Sequence, residues 1–340
     1  MTVRILKGDC REVLRSLPDE SVHCCVTSPP YFGLRDYGVA GQIGLEQTPA
    51  AFVAEMVAVF SEVRRVLKDD GTLWLNLGDS YAGSGKGGNP GHSEHIKQKT
   101  NAGSLGVRDR VQDTPGLKAK DLIGAPWRVA LALQADGWYL RQDIIWSKPN
   151  PMPESIKDRC TKAHEYVFLM SKSSRYYFDA DAIAETSKYS GLTGQDASGF
   201  KDPKNYAGKH GQRARHGKQL TWTERKAMGE GPRRGFSQNG PSNIGANQES
   251  RNKRSVWEIP TAPFSEAHFA TFPPALIEPC ILAGCPKGGT VLDPFGGAGT
   301  TGMVADRLGR DAILIELNPE YAAMAERRIK SDAGMFAAVC

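Results

Sequence analysis

The stretch from Val291 to Gly302, Val-Leu-Asp-Pro-Phe-Gly-Gly-Ala-Gly-Thr-Thr-Gly, narrows the fold more than any other part of the chain. A short apolar run enters a glycine turn, and the turn opens a segment of helical spacing. Gly297, Gly299 and Gly302 satisfy G-x-G-x-x-G. Without Cβ atoms such a backbone can lie close against a nucleotide-like ligand at a helix N-terminus. Glu316 stands 23 residues after Asp293, at the end of the next apolar run. A carboxylate there can accept both hydroxyls of a ribose.

A purely structural turn is the plain alternative, and two ligands compete for the functional one. Dinucleotide enzymes set the first glycine directly at the strand end, where pyrophosphate sits. Here Asp293-Pro294-Phe295 intervenes. A carboxylate at that tip repels pyrophosphate and suits the ammonium of an amino-acid cofactor, which favours S-adenosylmethionine over NAD. A second glycine-rich stretch, Ser84-Gly85-Lys86-Gly87, lacks the first Gly and the final Ser or Thr of a phosphate loop.

The rest of the chain alternates in the same way. Strands are expected at Val3–Leu6, Val22–Thr27, Thr72–Leu77, Trp138–Trp146, Glu165–Met170, Thr290–Leu292 and Ala312–Ile315. Helices are expected at Cys10–Leu17, from Thr48-Pro49 to Leu67 with Asp69-Asp70-Gly71 as its stop, and at Pro126–Ala135, Gly302–Leu308 and Pro319–Ile329. Short buried strands separated by helices imply a mostly parallel sheet covered on both faces. Residues 81–120 and 181–255 lack periodicity and read as loops.

Thr27-Ser28-Pro29-Pro30-Tyr31 ends one of these strands. Ligands of open α/β sheets bind beyond the carboxyl ends of the strands. Neither proline has an N–H, so Ser28 and the Pro29 carbonyl offer acceptors with few competing donors. An exocyclic amino group needs acceptors, and Tyr31 adds a face for a planar base. The bland alternative is a rigid turn with a buried tyrosine.

These two motifs, in this order, resemble the amino-group DNA methyltransferases, permuted β group. The resemblance spans residues 2–80, 122–180 and 256–330. It implies an α/β fold: a doubly wound, mostly parallel sheet of the S-adenosylmethionine-dependent methyltransferase type, with a loop-rich basic insert. It implies methyl transfer from S-adenosylmethionine to cytosine N4 or adenine N6 of a base flipped out of duplex DNA. Ser28, Pro29, Pro30 and Tyr31 match the catalytic turn. Asp293, Phe295, Gly297, Gly299 and Thr300 match the cofactor turn, and Glu316 the ribose acid. Asp9 and Cys10 match the adenine contact, with Asp9 accepting from the adenine amine. Thr271 matches the segment beside the methionine moiety, where Phe272 departs from the family's usual Lys. Ser rather than Asp at position 28 resembles the cytosine N4 enzymes. Carbon-5 methylation would need a thiolate nucleophile, and no Pro-Cys turn follows a strand tip. Competing readings are an adenine N6 enzyme, a non-catalytic nucleic-acid-binding subunit on the same fold, an RNA or protein methyltransferase, and a NAD-dependent oxidoreductase.

The chain's net charge of +5 is uneven: residues 181–255 hold 14 Lys/Arg and 7 Asp/Glu. A focused positive segment points to a polyanion. Residues 181–255 are therefore expected to be a target-recognition insert, with Arg213, Arg215, Arg225, Arg233 and Arg234 as contacts to phosphates or guanine edges. A solvated loop that orders on DNA is the alternative. Lys86, Lys97, Lys99, Arg108 and Arg110 suggest a second clamp at 81–120. The insert separates a catalytic half, residues 1–180, from a cofactor half, residues 256–340. Seven scattered cysteines without a Cys-x-x-Cys pair argue for a reducing cytoplasm and against a zinc site. Cys280, Cys285 and His268 are better read as structural residues than as metal ligands. The expected partners are double-stranded DNA and a cognate restriction endonuclease; the chain is expected to be a monomer or homodimer. No membrane span is expected, because no apolar run of about 18 residues occurs.

Overall fold

The computed structural model describes residues 1–82, 116–186, 250–262, 272–333 and 338–339. The chain divides into two compact units, Met1–Ile183 with Arg254–Cys340, and Ala184–Lys253. In the second unit β6 (Glu185–Thr186) pairs antiparallel with β7 (Ser250–Arg251), and Arg251 bridges to Glu185 at 3.2 Å.

The first unit runs β1 (Thr2–Lys7), α1 (Cys10–Ser16), β2 (Val22–Thr27), α2 (Pro49–Val66), β3 (Leu67–Leu77), α3 (Ala125–Ala135), β4 (Tyr139–Ser147) and β5 (His164–Ser171). It resumes with β8 (Val256–Glu258), α4 (Pro274–Gly284), β9 (Thr290–Asp293), α5 (Thr300–Arg307), β10 (Asp311–Glu316), α6 (Pro319–Ala333) and β11 (Ala338–Val339). Among the described residues its strands form one sheet, ordered β11-β1-β10-β9-β2-β3-β5-β4-β8. Only β5 runs antiparallel to its neighbours β3 and β4.

Strand side chains alternate between two apolar layers, which is why the strands read as unbroken hydrophobic runs. Cys25, Leu73, Leu75, Leu292 and Ile313 face a layer that holds Leu14 of α1, Phe52 and Phe60 of α2 and Leu133 of α3. Cys24, Val26, Trp74, Val291 and Leu314 face Ile277 and Ile281 of α4, Met303 of α5 and Ile329 of α6. Each such side chain contributes roughly 1.5–3 kcal/mol when fully buried. Cys280 and Cys285 belong to this second layer, as buried thiols.

Local signals account for the element ends. Thr48 accepts from the Ala51 N–H at 3.1 Å, and Pro49 takes the first position of α2. The end of α2 differs from expectation. Asp69-Asp70-Gly71 does not stop the helix but lies within β3, which begins at Leu67. Val22 pairs with Leu67 while Cys24 pairs with Thr72, so the irregularity absorbs the polar residues between. The ends of the 81–120 stretch are held: Tyr81 bridges to Leu122, and the Ala82 N–H donates to the Asp121 carbonyl at 2.8 Å. Residues 83–115, including Lys86, Lys97, Lys99, Arg108 and Arg110, lie outside the described residues. Among the described residues no helix is long and apolar enough to cross a membrane.

One adjacency positions the site. Strand β2 pairs parallel with β9, Cys24 opposite Val291 and Cys25 opposite Leu292. From β2 the chain proceeds to β3 on one side, and from β9 to β10 on the other. The carboxyl ends of β2 and β9 thus flank the point where the strand order reverses, where open α/β sheets hold ligands.

Candidate active site

Both motifs emerge at that point. Thr27, the last residue of β2, donates to Asp293 Oδ1 at 2.6 Å, and Thr301 of α5 donates to Asp293 Oδ2 at 2.6 Å. The Phe295 N–H also donates to Asp293 Oδ1, at 3.0 Å. Asp293 is 1% exposed. Burial pushes its carboxyl above the usual range, against the three donors. These oxygens clamp the two strand tips together, a role the sequence did not suggest.

A single cavity is lined by Ser28 and Pro30 of the first motif and by residues 293–298, Thr300 and Glu316 of the second. Asp9 and Cys10 line it as well. Gly297 has φ +48°, and a Cβ on it would meet no protein atom nearer than 3.9 Å, so its open side is left for a ligand. Gly299 serves packing instead: at φ +76° its missing Cβ would lie 2.8 Å from the Ala325 Cβ of α6. Arg328 holds the turn from behind, donating to the Ala298 carbonyl at 3.0 Å and to Thr300 Oγ1 at 2.8 Å.

Glu316 accepts from the Gly297 N–H at 2.7 Å and from the Asn318 N–H at 2.9 Å. Each carboxylate oxygen keeps a further lone pair for a ribose hydroxyl. Burial raises its pKa above the ordinary glutamate value, partly offset by these backbone donors. The folded carboxyl therefore holds its proton to higher pH than the unfolded one. Stability of the ligand-free protein should fall as pH rises through that window, by up to about 1.4 kcal/mol per pH unit. Denaturant titrations across pH should show Glu316→Gln removing this part of the slope.

Asp9 also has a structural role. It caps α1, accepting from the Arg11 N–H at 2.9 Å, and both its oxygens pair with the Arg11 guanidinium. Arg11 lowers its pKa. Asp9 lines the cavity, but its charge is already partnered. Cys10 is buried, its thiol pushed up to about 12 chiefly by desolvation, so it offers no thiolate. Pro29 is buried, and neither it nor Tyr31 is among the cavity-lining residues. The Tyr31 hydroxyl points instead to Glu165 Oε2 at 2.7 Å and Asn76 Oδ1 at 3.2 Å. Thr271, His268 and the arginines at 213, 215, 225, 233 and 234 lie outside the described residues.

Sequence reasoning missed one wall of the cavity. Tyr37, Gln42 and Ile43 line it from the segment after Tyr31, and Asn318 and Tyr321 from the start of α6. The segment folds back through the Gly33 N–H, which donates to the Gly44 carbonyl at 2.8 Å. Its signal was the run of glycines at 33, 38, 41 and 44.

The lining fits S-adenosylmethionine: a half-buried carboxylate, Glu316, for a diol, an open glycine backbone for close approach, and apolar walls from Ile43 and Phe272. A match to the DNA methylase family (N6_N4_Mtase) runs over residues 22–327. The chain belongs to this family. Its members take their methyl group from S-adenosylmethionine. The chain is 45% identical to the Type II methyltransferase M.Cfr9I of Citrobacter freundii, across 96% of this chain and 88% of the relative. It is 44% identical to the Type II methyltransferase M.SmaI of Serratia marcescens, across 96% and 90%. Two solved structures share the fold. A putative DNA modification methylase from Thermus thermophilus, complexed with S-adenosylmethionine, superposes with a TM-score of 0.55 at 24% identity, covering 99% of each chain. The cytosine-N4-specific PvuII DNA methyltransferase gives 0.57 at 20% identity, covering 97% of this chain and 92% of its own.

Proposed function

We propose that this DNA methylase transfers a methyl group from S-adenosylmethionine to the N4 amine of cytosine, on a base flipped out of duplex DNA. One observation carries the reading: Ser28 and the turn at 293–298 line one cavity, with the Thr27–Asp293 hydrogen bond of 2.6 Å tying their strands together. The cofactor supplies a sulfonium methyl at that turn. The amine is a weak nucleophile because its lone pair is delocalised into the ring. Hydrogen bonds to Ser28 Oγ and the Pro29 carbonyl localise the pair and aim it, which is catalysis by positioning and electrostatics. Glu316 holds the ribose and residues 295–300 cradle the amino-acid end. Residues 181–255 recognise the target, with Arg213, Arg215, Arg225, Arg233 and Arg234 on the DNA. A restriction endonuclease of the same specificity is the expected partner in the cell.

Mass spectrometry of nucleosides from the DNA of cells expressing the chain tests this. N4-methylcytosine is the expected product. N6-methyladenine would overturn the choice of base, and neither product would overturn the activity.

A further inference from the structure

A hydroxyl is a weaker acceptor than a carboxylate, so Ser28 needs help to draw on an amine. The structure holds a carboxylate two hydrogen bonds away. Ser28 Oγ lies 3.4 Å from the Tyr31 hydroxyl and donates to it. Tyr31 in turn donates to Glu165 Oε2 at 2.7 Å. Asn76 Nδ2 also donates to Glu165 Oε2, at 3.3 Å, and to the Tyr166 carbonyl at 3.1 Å. Lys148, just after β4, pairs with Glu165 Oε1, and their side chains are 17% and 15% exposed. The Lys148 ammonium sits 4.2 Å over the Trp146 ring. Among the described residues, Lys162, from the loop before β5, also interacts electrostatically with the carboxylate. The antiparallel turn of β5 sets Leu77 opposite Tyr166, which brings Glu165 to the carboxyl end of β3 beside the catalytic turn.

We propose that Glu165 is a positioning residue that completes a relay from Ser28 through Tyr31 and takes up the proton lost by the methylated amine. The proposal rests on Ser28 receiving the base amine, as argued above. As the nitrogen–methyl bond forms, the carbon–sulfur bond breaks and its electron pair stays on sulfur. The nitrogen gives one proton to Ser28 Oγ, Ser28 gives its own to the Tyr31 oxygen, and Tyr31 gives its own to Glu165. The carboxylate ends as a neutral acid and returns the proton to water before the next turnover. A donor chain ending in a carboxylate also polarises Ser28 before transfer, which strengthens it as an acceptor. Lys148 holds the carboxylate oriented at its other oxygen.

The test uses Glu165→Gln, which keeps an oxygen for Tyr31 but takes no proton, and Tyr31→Phe, which keeps the ring but cuts the chain. Both should lower the single-turnover methylation rate about a hundredfold, with affinities for S-adenosylmethionine and DNA unchanged. Glu165→Asp should recover part of the rate. In the protein without cofactor, the Cζ resonance of 13C-labelled Tyr31 should move toward that of an ordinary phenol in Glu165→Gln. Tyr31→Phe reports on the same link if the Gln variant does not fold. A wild-type rate in either variant, or an unmoved Tyr31 resonance, would overturn the relay. If Ser28→Ala also keeps its rate, the reading of Ser28 has failed; if Ser28→Ala is slow and Glu165→Gln is not, the relay alone has failed.

Discussion

Replacing Ser28 with alanine should slow methyl transfer about 10²- to 10³-fold, with S-adenosylmethionine affinity and thermal stability close to those of the parent. The rate effect is large because the hydroxyl contact strengthens as positive charge develops on the amine nitrogen. The stability effect is small because Ser28 is only half-buried and its side-chain bond to Tyr31 is a long 3.4 Å. Such a bond contributes about 1 kcal/mol or less. Single-turnover transfer of tritiated methyl to DNA measures the first quantity, and calorimetric titration with S-adenosylmethionine the second. Ser28→Asp sharpens the experiment. A carboxylate there accepts more strongly, but it also competes with Glu165 for the one Tyr31 proton. A variant equal to the parent in rate and in base would remove the hydroxyl's role.

The elements of this protein were legible because each carries its own pattern. The runs at Val22–Thr27 and Ala312–Ile315 are long enough for a strand and too short for a helix, and Thr48-Pro49 marks a helix start by capping chemistry alone. The glycine turn and the Ser-Pro-Pro-Tyr turn were legible for the same reason, since each is local. What stayed hidden depends on partners distant in the chain. Nothing in residues 164–171 says that β5 runs antiparallel between β3 and β4. The clamp of Thr27 on Asp293 joins positions 266 apart in sequence, and the Tyr31–Glu165 bond positions 134 apart. Asp9 shows the same limit. Its motif is local and the residue does line the cavity, but the pairing of both its oxygens with Arg11, two residues on, was not read from the sequence. Local spacing identifies which residue types reach a site; packing decides which of their atoms remain available to a ligand.

Gly78 exposes that packing to a single-atom test. It follows β3, and a Cβ placed on it would stand 2.4 Å from Tyr31 Cε2, 2.9 Å from Cδ2 and 3.1 Å from Cζ. The ring is flexible in principle, but its hydroxyl is tethered to Glu165 and Asn76, so it cannot swing aside and keep those bonds. Gly78→Ala should therefore cost about 1–3 kcal/mol of stability through overpacking, and about a hundredfold in rate through the broken Tyr31–Glu165 link. The two effects separate in a double-mutant cycle. If the alanine acts through that link, adding Gly78→Ala to Glu165→Gln should lower the single-turnover rate little further, because both changes remove the same interaction. Rate losses that multiply would mean that the methyl group at position 78 disturbs the turn by another path, such as a shift of Pro30 and Ser28 themselves. The stability losses behave differently. Overpacking against the ring is relieved only partly when the hydroxyl loses its carboxylate partner, so the melting temperature of the double variant should still fall below that of Glu165→Gln alone.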